Sequence, residues 1–255
     1  MAKDYLNLNK VSNVGDSTVT SLLKDNVIEY FDFAILNNGG FFNIDIPTSG
    51  HYGGDKHKLR LVDDPRYTSG QVWEGFRSNW VWQSGLECET QPLVTNKWHN
   101  PGISGVFVNG SFYASGDSTY GHHIDYPRGR VVFDSAISTT SSITAEFSYK
   151  WVNVVPADKE FFREVQYRSQ RADGDFTYTG SGDYSQLADN RLQLPAIAVD
   201  VTKRRNLEPY ALGALTHYIN TDVVFHVLAE DSYTRDKLVD MVSLQEEKVV
   251  YMFDS

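Results

Sequence analysis

The sequence predicts an α+β fold, rich in strands, in which a small α/β layer carries an inserted antiparallel β meander. Three observations predict it. Apolar residues recur at helical spacing near the start of the chain. Its middle alternates apolar and polar residues between turn-forming dipeptides. Its end returns to a strand–helix–strand pattern. Aromatic residues make up 13% of the 255, with 15 Tyr, 14 Phe and 5 Trp, and rigid amphipathic rings suit strands and interfaces.

The opening helix is expected from about Ser17 to Leu36. Val19, Leu22, Leu23, Val27, Tyr30, Phe31 and Ala34 form its apolar stripe, Asp16 or Ser17 can cap it, and Asn37-Asn38-Gly39-Gly40 ends it. A strand follows, with Phe42, Ile44 and Ile46 alternating against Asn43 and Asp45 until Pro47. Residues 48–100 are irregular, apart from an aromatic stretch between Trp73 and Trp82. There the pattern places Trp80 and Trp82 on one strand face, with a core role, and Val81 on the other.

Residues 103–155 read as the meander. Val106-Phe107-Val108 and Ser111-Phe112-Tyr113 flank Asn109-Gly110, a strong hairpin signal because both turn positions need positive φ. Ile124-Asp125-Tyr126 and Arg130-Val131-Val132-Phe133 flank Pro127-Arg128-Gly129. One long strand is expected to follow, with Ile143, Ala145, Phe147, Tyr149 and Trp151 on one face and Thr144, Glu146, Ser148 and Lys150 on the other. A charged aromatic segment, Asp158 to Arg168, leads to a polar loop over 172–190.

Beyond it, Ile197, Val199 and Val201 alternate as a strand, and the run Val223 to Leu228 reads as a central strand buried on both faces. A helix capped near Asp231 or Ser232 presents Leu238, Val239, Met241 and Val242, and Val249 to Phe253 reads as a last strand. The α/β layer therefore comprises residues 1–47 and 193–255, with 48–192 as the β-rich insertion.

Composition narrows the function. Net charge is −10, from 23 basic and 33 acidic residues, which disfavours nucleic-acid binding. The dense basic cluster Lys203-Arg204-Arg205 reads as a solvated strand end. With Cys88 alone, no intrachain disulfide or multi-thiolate metal site is possible, and Glu87 and Glu89 disfavour its thiolate. The first residues lack the apolar stretch of a signal peptide, and no apolar run reaches the roughly 20 residues that span a bilayer. The expectation is a protein made and assembled in a reducing cytoplasm, without membrane contact.

The residues do not spell an active site. His123 and Asp125 can share a strand face beside His122, but two ligands do not hold zinc. His226 in an apolar strand reads as a core or subunit-contact histidine. Ser115-Gly116-Asp117 and Ser181-Gly182-Asp183 sit in turn-rich loops without a nucleophile elbow, and Gly53-Gly54-Asp55-Lys56 lacks phosphate-loop spacing. Asp173, Asp175 and Asp183 depart from the calcium loop of an EF-hand, and Asp63-Asp64 is a bare pair. No catalytic residue, metal or cofactor is expected.

Two stretches resemble structural proteins of tailed bacteriophages, cyanophage-like ones in particular. One runs from Ser104-Gly105-Val106-Phe107-Val108-Asn109-Gly110 through Ile124-Asp125-Tyr126-Pro127-Arg128-Gly129-Arg130 to Phe147-Ser148-Tyr149-Lys150-Trp151. The other runs from Val224-Phe225-His226-Val227-Leu228 through Leu238-Val239-Asp240 to Tyr251-Met252-Phe253-Asp254. The element order is similar to that of tail terminator proteins, small α/β subunits that form a hexameric ring between tail tube and neck. The inserted meander departs from that compact pattern, so a stopper or adaptor ring fits equally.

The resemblance implies a virion subunit, not an enzyme, whose partners are copies of itself and other neck and tail proteins. DNA would pass its lumen without specific binding. Trp80, Trp82, Tyr126, Arg128 and Arg130 are the expected interface residues. The alternatives are another virion component, in the baseplate, tail or capsid decoration, or a receptor- or carbohydrate-binding β module.

Overall fold

The computed structural model describes residues 19–46, 56–83, 86, 102–157, 165–166, 192–209, 217–247 and 249. Helix α1 spans Val19–Asn37. It ends as its glycines require: Gly39 has φ 82°, its N–H donates to Leu36 O at 2.9 Å, and Gly40 N–H donates to Ile35 O at 2.8 Å. That paired closure satisfies carbonyls that the helix leaves open. The expected caps Asp16 and Ser17 lie outside the described residues.

Strand β1 (Phe41–Ile44) turns Phe41 into the core beside Leu36 and Val81, while Phe42 is partly exposed and tilts against the Tyr149 ring.

A curled, antiparallel, seven-stranded sheet forms the centre, in the order β5-β4-β8-β2-β3-β7-β6. Its strands are β2 (Lys58–Leu61), β3 (Val72–Glu74), β4 (Gly105–Val108), β5 (Ser111–Ala114), β6 (His122–Asp125), β7 (Arg130–Phe133) and β8 (Ile143–Thr144). The β4–β5 hairpin turns through Asn109 (φ 52°) and Gly110 (φ 87°), as the Asn-Gly pair dictates. The two edges, β5 and β6, are consecutive in the chain, and His122 N–H donates to Ser115 O at 3.0 Å, drawing them together. The curl encloses a core of Trp73, Phe76, Trp80, Val106, Val131, Phe133, Ile143 and Phe147, among others. Trp80 stacks on Phe147 at 4.3 Å between ring centres.

The long strand expected over 143–151 is two strands. β8 pairs with β2 and β4, whereas β9 (Phe147–Lys150) pairs with β1. Ile143, Ala145, Phe147 and Tyr149 are all buried in one core, but Ser148, expected on the wet face, is buried too, Trp151 packs against the other layer, and the partner changes between Thr144 and Phe147. The expected shared face of Trp80 and Trp82 does not hold as a core face. Trp80 is 1% exposed and Trp82 is 62% exposed, because only Trp80 bridges Tyr149 and enters the curl.

The second layer is a three-stranded sheet, β10 (Asn153–Pro156), β13 (Ala196–Pro209) and β14 (His217–Leu228), with β10 parallel and β14 antiparallel to β13. β11 (Val165–Gln166) and β12 (Leu192–Gln193) form a separate parallel pair. β10 falls in the region that the sequence division assigns to the insertion. The stretch buried on both faces is Ala196–Val199 at the start of β13, not the run Val223 to Leu228. In β13, Ile197 and Val199 join the cluster that also holds Ile35 and Leu238, and Ala196 and Ala198 join Leu194. β14 has β13 as its one strand neighbour among the described residues and leaves Val224 39% exposed. The Lys203-Arg204-Arg205 cluster is not at a strand end but inside β13, at its register shift.

Helix α2 (Ser232–Ser243) starts at Asp231, whose carboxylate accepts from the Thr234 N–H at 2.8 Å and the Thr234 hydroxyl at 2.7 Å. The backbone bond, first, holds the Asp231 carboxyl below its ordinary range. Leu238 is fully buried and Met241 and Val242 pack beside it, but Val239 is 44% exposed and leaves the expected stripe. The expected last strand falls outside the described residues except for Val249, which is not in a strand and is 89% exposed. The segment 172–190 also lies outside them.

Candidate functional site

Four of the five expected interface residues meet at the β6–β7 turn. Gly129 has φ 64°, and a Cβ there would lie 2.4 Å from Arg77 O, so only glycine fits. The turn is pinned to residues 75–80 by backbone bonds. Gly75 N–H donates to Gly129 O (3.0 Å), Asn79 N–H to Pro127 O (3.0 Å) and Trp80 N–H to Tyr126 O (2.9 Å). Arg128 reaches back over the turn to Asp125 at 2.9 Å. Tyr126 packs on the core edge, its hydroxyl accepting from Ile103 N–H at 3.4 Å.

Beneath this turn runs a transverse row of alternating charges. Strand register sets Arg60 opposite Glu74, Glu74 opposite Arg130, and Arg130 opposite Asp125. Glu74 accepts from Arg60 and, at 2.9 Å, from Arg130 Nε. Asp64 accepts from Arg66 through two contacts of 2.9 Å and 2.6 Å and faces Arg130 at 3.4 Å. The Arg66 side chain holds the Asp64 carboxyl down to about 2, against the opposing effect of burial. Opposite charges directly across strands stabilise the pairing, and buried pairs also penalise any shifted register, which would strand a charge.

Chemically this row is a platform. Glu74 within it and Asp64 beside it are each engaged by two guanidiniums. Nearby, burial pushes the Tyr149 hydroxyl above its usual range, with the Arg77 guanidinium, 5.0 Å from its ring, opposing.

Individual positions divide into support and surface. Trp80 and Arg130, expected at an interface, are 1% and 6% exposed, so neither can touch a partner directly. Trp80 is consumed by the core, and Arg130 by its two carboxylates. Arg128 keeps 43% of its side chain exposed, Tyr126 is half-buried, and Trp82 stands out by itself at 62%. Arg60, Asp64, Arg66 and Glu74 were not expected as a unit. Asp63-Asp64 was visible in the sequence, but which arginines face it depends on strand register.

The histidines do not gather. His122 is buried against Phe133 with Nδ1 2.8 Å from Tyr120 O, while Asp125 is engaged by Arg128 rather than His123. Among the described residues no three His, Cys, Asp or Glu side chains are grouped to hold a metal ion. His226 is half-buried in β14. Cys88, Asp173, Asp175 and Asp183 lie outside the described residues. Among those residues, no helix is long and apolar enough to cross a membrane.

Compared with protein-family models, curated proteins and solved structures, the chain matches none.

Proposed function

We propose that the chain is a non-enzymatic structural subunit of a tailed-phage particle, assembled as a hexameric ring at the head-to-tail neck. The observation that carries this reading is the scatter of exposed large apolar side chains over separate elements. Trp82 follows the core segment, Phe112 lies on β5 (49% exposed), Val224 on β14, and Tyr233 (77%) on α2. A subunit in a closed ring is gripped on two different faces, each needing apolar contact area. Strand β14, which among the described residues has β13 on one side alone and carries an apolar run, supports the same reading, because an apolar edge invites another chain unless it is covered.

The −10 net charge favours a lumen that lets DNA pass without adhesion. Connector and tail-tube proteins are the proposed neighbours along the ring axis. The test adds purified chain to tail tubes and views them by electron microscopy. Ring density at one tube end supports the proposal. Decoration along the tube, or none, overturns it.

One observation favours a second reading, a carbohydrate-binding β module: Trp82 is an exposed indole on which a sugar ring can stack. Glycan titration that quenches tryptophan fluorescence, and ceases to do so in Trp82→Ala, would select it. A flat titration dismisses it.

A further inference from the structure

A cleft of about 670 Å³ opens between α1 and α2, above β13. Phe31, Ile35, Trp151, Ile197 and Met241 line it, and Lys237 is the charged side chain among its described lining residues. That volume lies within the roughly 300–1,000 Å³ of ligand sites, and its apolar lining with a single charge asks for an apolar occupant bearing one anionic group. The Lys237 ammonium lies 4.7 Å from the Trp151 ring centre, at the exposed mouth of the cleft, where that contact biases it towards the wall.

We infer that the cleft is filled by the segment Val250-Tyr251-Met252-Phe253-Asp254 of a neighbouring copy, with Asp254 meeting Lys237. The inference rests on the ring reading and supplies one of its subunit contacts. Four apolar residues followed by a carboxylate match the lining in kind, apolar side chains with one ammonium. They match it in length as well. Five extended residues span about 17 Å at roughly 3.3 Å each. On the α1 side the lining runs from Tyr30 to Asn38, about 12 Å at 1.5 Å per helical residue, before adding Gly39 and Gly40.

A neighbour's cleft is favoured over the chain's own by what lies between. Gln245 stands at the rim, and Val249, four residues on, is 89% exposed. The connecting residues Glu246-Glu247-Lys248-Val249 contain no Gly, Pro, Asn or Asp, the residues that favour a tight reversal into the chain's own cleft. The same segment reaching outward joins subunits head to tail, the contact type from which closed rings are built.

The test uses full-length chains in which Cys88→Ser removes the native thiol. Two differently tagged chains, one carrying Met241→Cys and the other Phe253→Cys, are co-expressed and oxidised. The expected product is a disulfide-linked pair containing both tags, with few same-tag pairs. A chain carrying both cysteines should yield a ladder of multiples, and closure within single chains overturns the inference. Independently, Phe253→Asp should weaken association at least tenfold while leaving the thermal melt and far-ultraviolet circular dichroism unchanged. Lys237→Glu should weaken association likewise, and adding Asp254→Lys should restore it. Unchanged association in Phe253→Asp overturns the inference. A ring of native mass without crosslinks overturns the docking but spares the ring reading. Crosslinks between copies in a species that is not a ring support the docking and overturn the ring.

Discussion

Trp80 and Trp82 stand two residues apart in one extended segment, yet the fold assigns them opposite roles, and replacing each by alanine measures that difference. The Trp80 indole is 1% exposed and stacked on Phe147. Burying an aromatic side chain removes roughly 150–250 Å² from water, which at about 25 cal/mol/Å² is about 4–6 kcal/mol of transfer free energy. Partial collapse of the site brings the expected cost of Trp80→Ala to about 4 kcal/mol. Trp82 keeps 62% of its surface in solvent, so the same arithmetic leaves Trp82→Ala at no more than about 2.4 kcal/mol.

Urea unfolding followed by circular dichroism reads both. With a slope near 3 kcal/mol/M, Trp80→Ala lowers the midpoint by more than about 1 M and Trp82→Ala by less than about 0.8 M. Equal losses, or a larger loss at Trp82, would refute the placement of the segment in the curled core.

Further outcomes follow from the turn and its charged support. Arg130→Met removes a guanidinium shared by Glu74 and Asp64, but Arg60 and Arg66 remain on those carboxylates. The expected cost is therefore about 2 kcal/mol in urea unfolding, below the roughly 3–5 kcal/mol of stranding a buried charge outright. The depressed Asp64 carboxyl contributes stability that is present above its ordinary value of 3.8 and lost as pH falls towards about 2. Because the Arg66 side chain is 54% exposed, that contribution is discounted to about 1 kcal/mol. The stability gap between wild type and Asp64→Asn should thus be present at pH 6 and close by pH 2. A gap that widens on acidification contradicts the pairing. Gly110→Ala has φ +87° but open space around its Cβ, so it should cost about 1 kcal/mol. Gly129→Ala also strikes Arg77 O and should cost at least about 2 kcal/mol more, measured by thermal unfolding.

What was legible in the sequence was short in range. The Gly39-Gly40 stop of α1, the Asn109-Gly110 hairpin and the Asp231 cap each depend on a few neighbouring residues, and all three stand as the residue types demand. Periodicity reports which side of a strand is buried but not what it pairs with. Hence Ile143, Ala145, Phe147 and Tyr149 share a buried side although they belong to strands with different partners. Apolar density misled at Val223 to Leu228, because among the described residues β14 has one strand neighbour, whereas Ala196–Val199 of β13 are buried on both faces with small alanines on one of them. The alternating row Arg60, Glu74, Arg130 and Asp125 was invisible because it joins two strand pairs, with Glu74 and Arg130 56 residues apart in sequence. Within the expected site, Trp82, Tyr126 and Arg128 keep exposed surface, while Trp80 and Arg130 support them from below.

The central claim is that these surfaces are built to bind sister subunits, and the native mass of the purified chain, alone and after mixing with tail tubes, tests it most directly. A mass of a single chain in isolation that becomes six on the tubes, or a hexamer already in solution, is the predicted result. A species that stays monomeric in both conditions contradicts it.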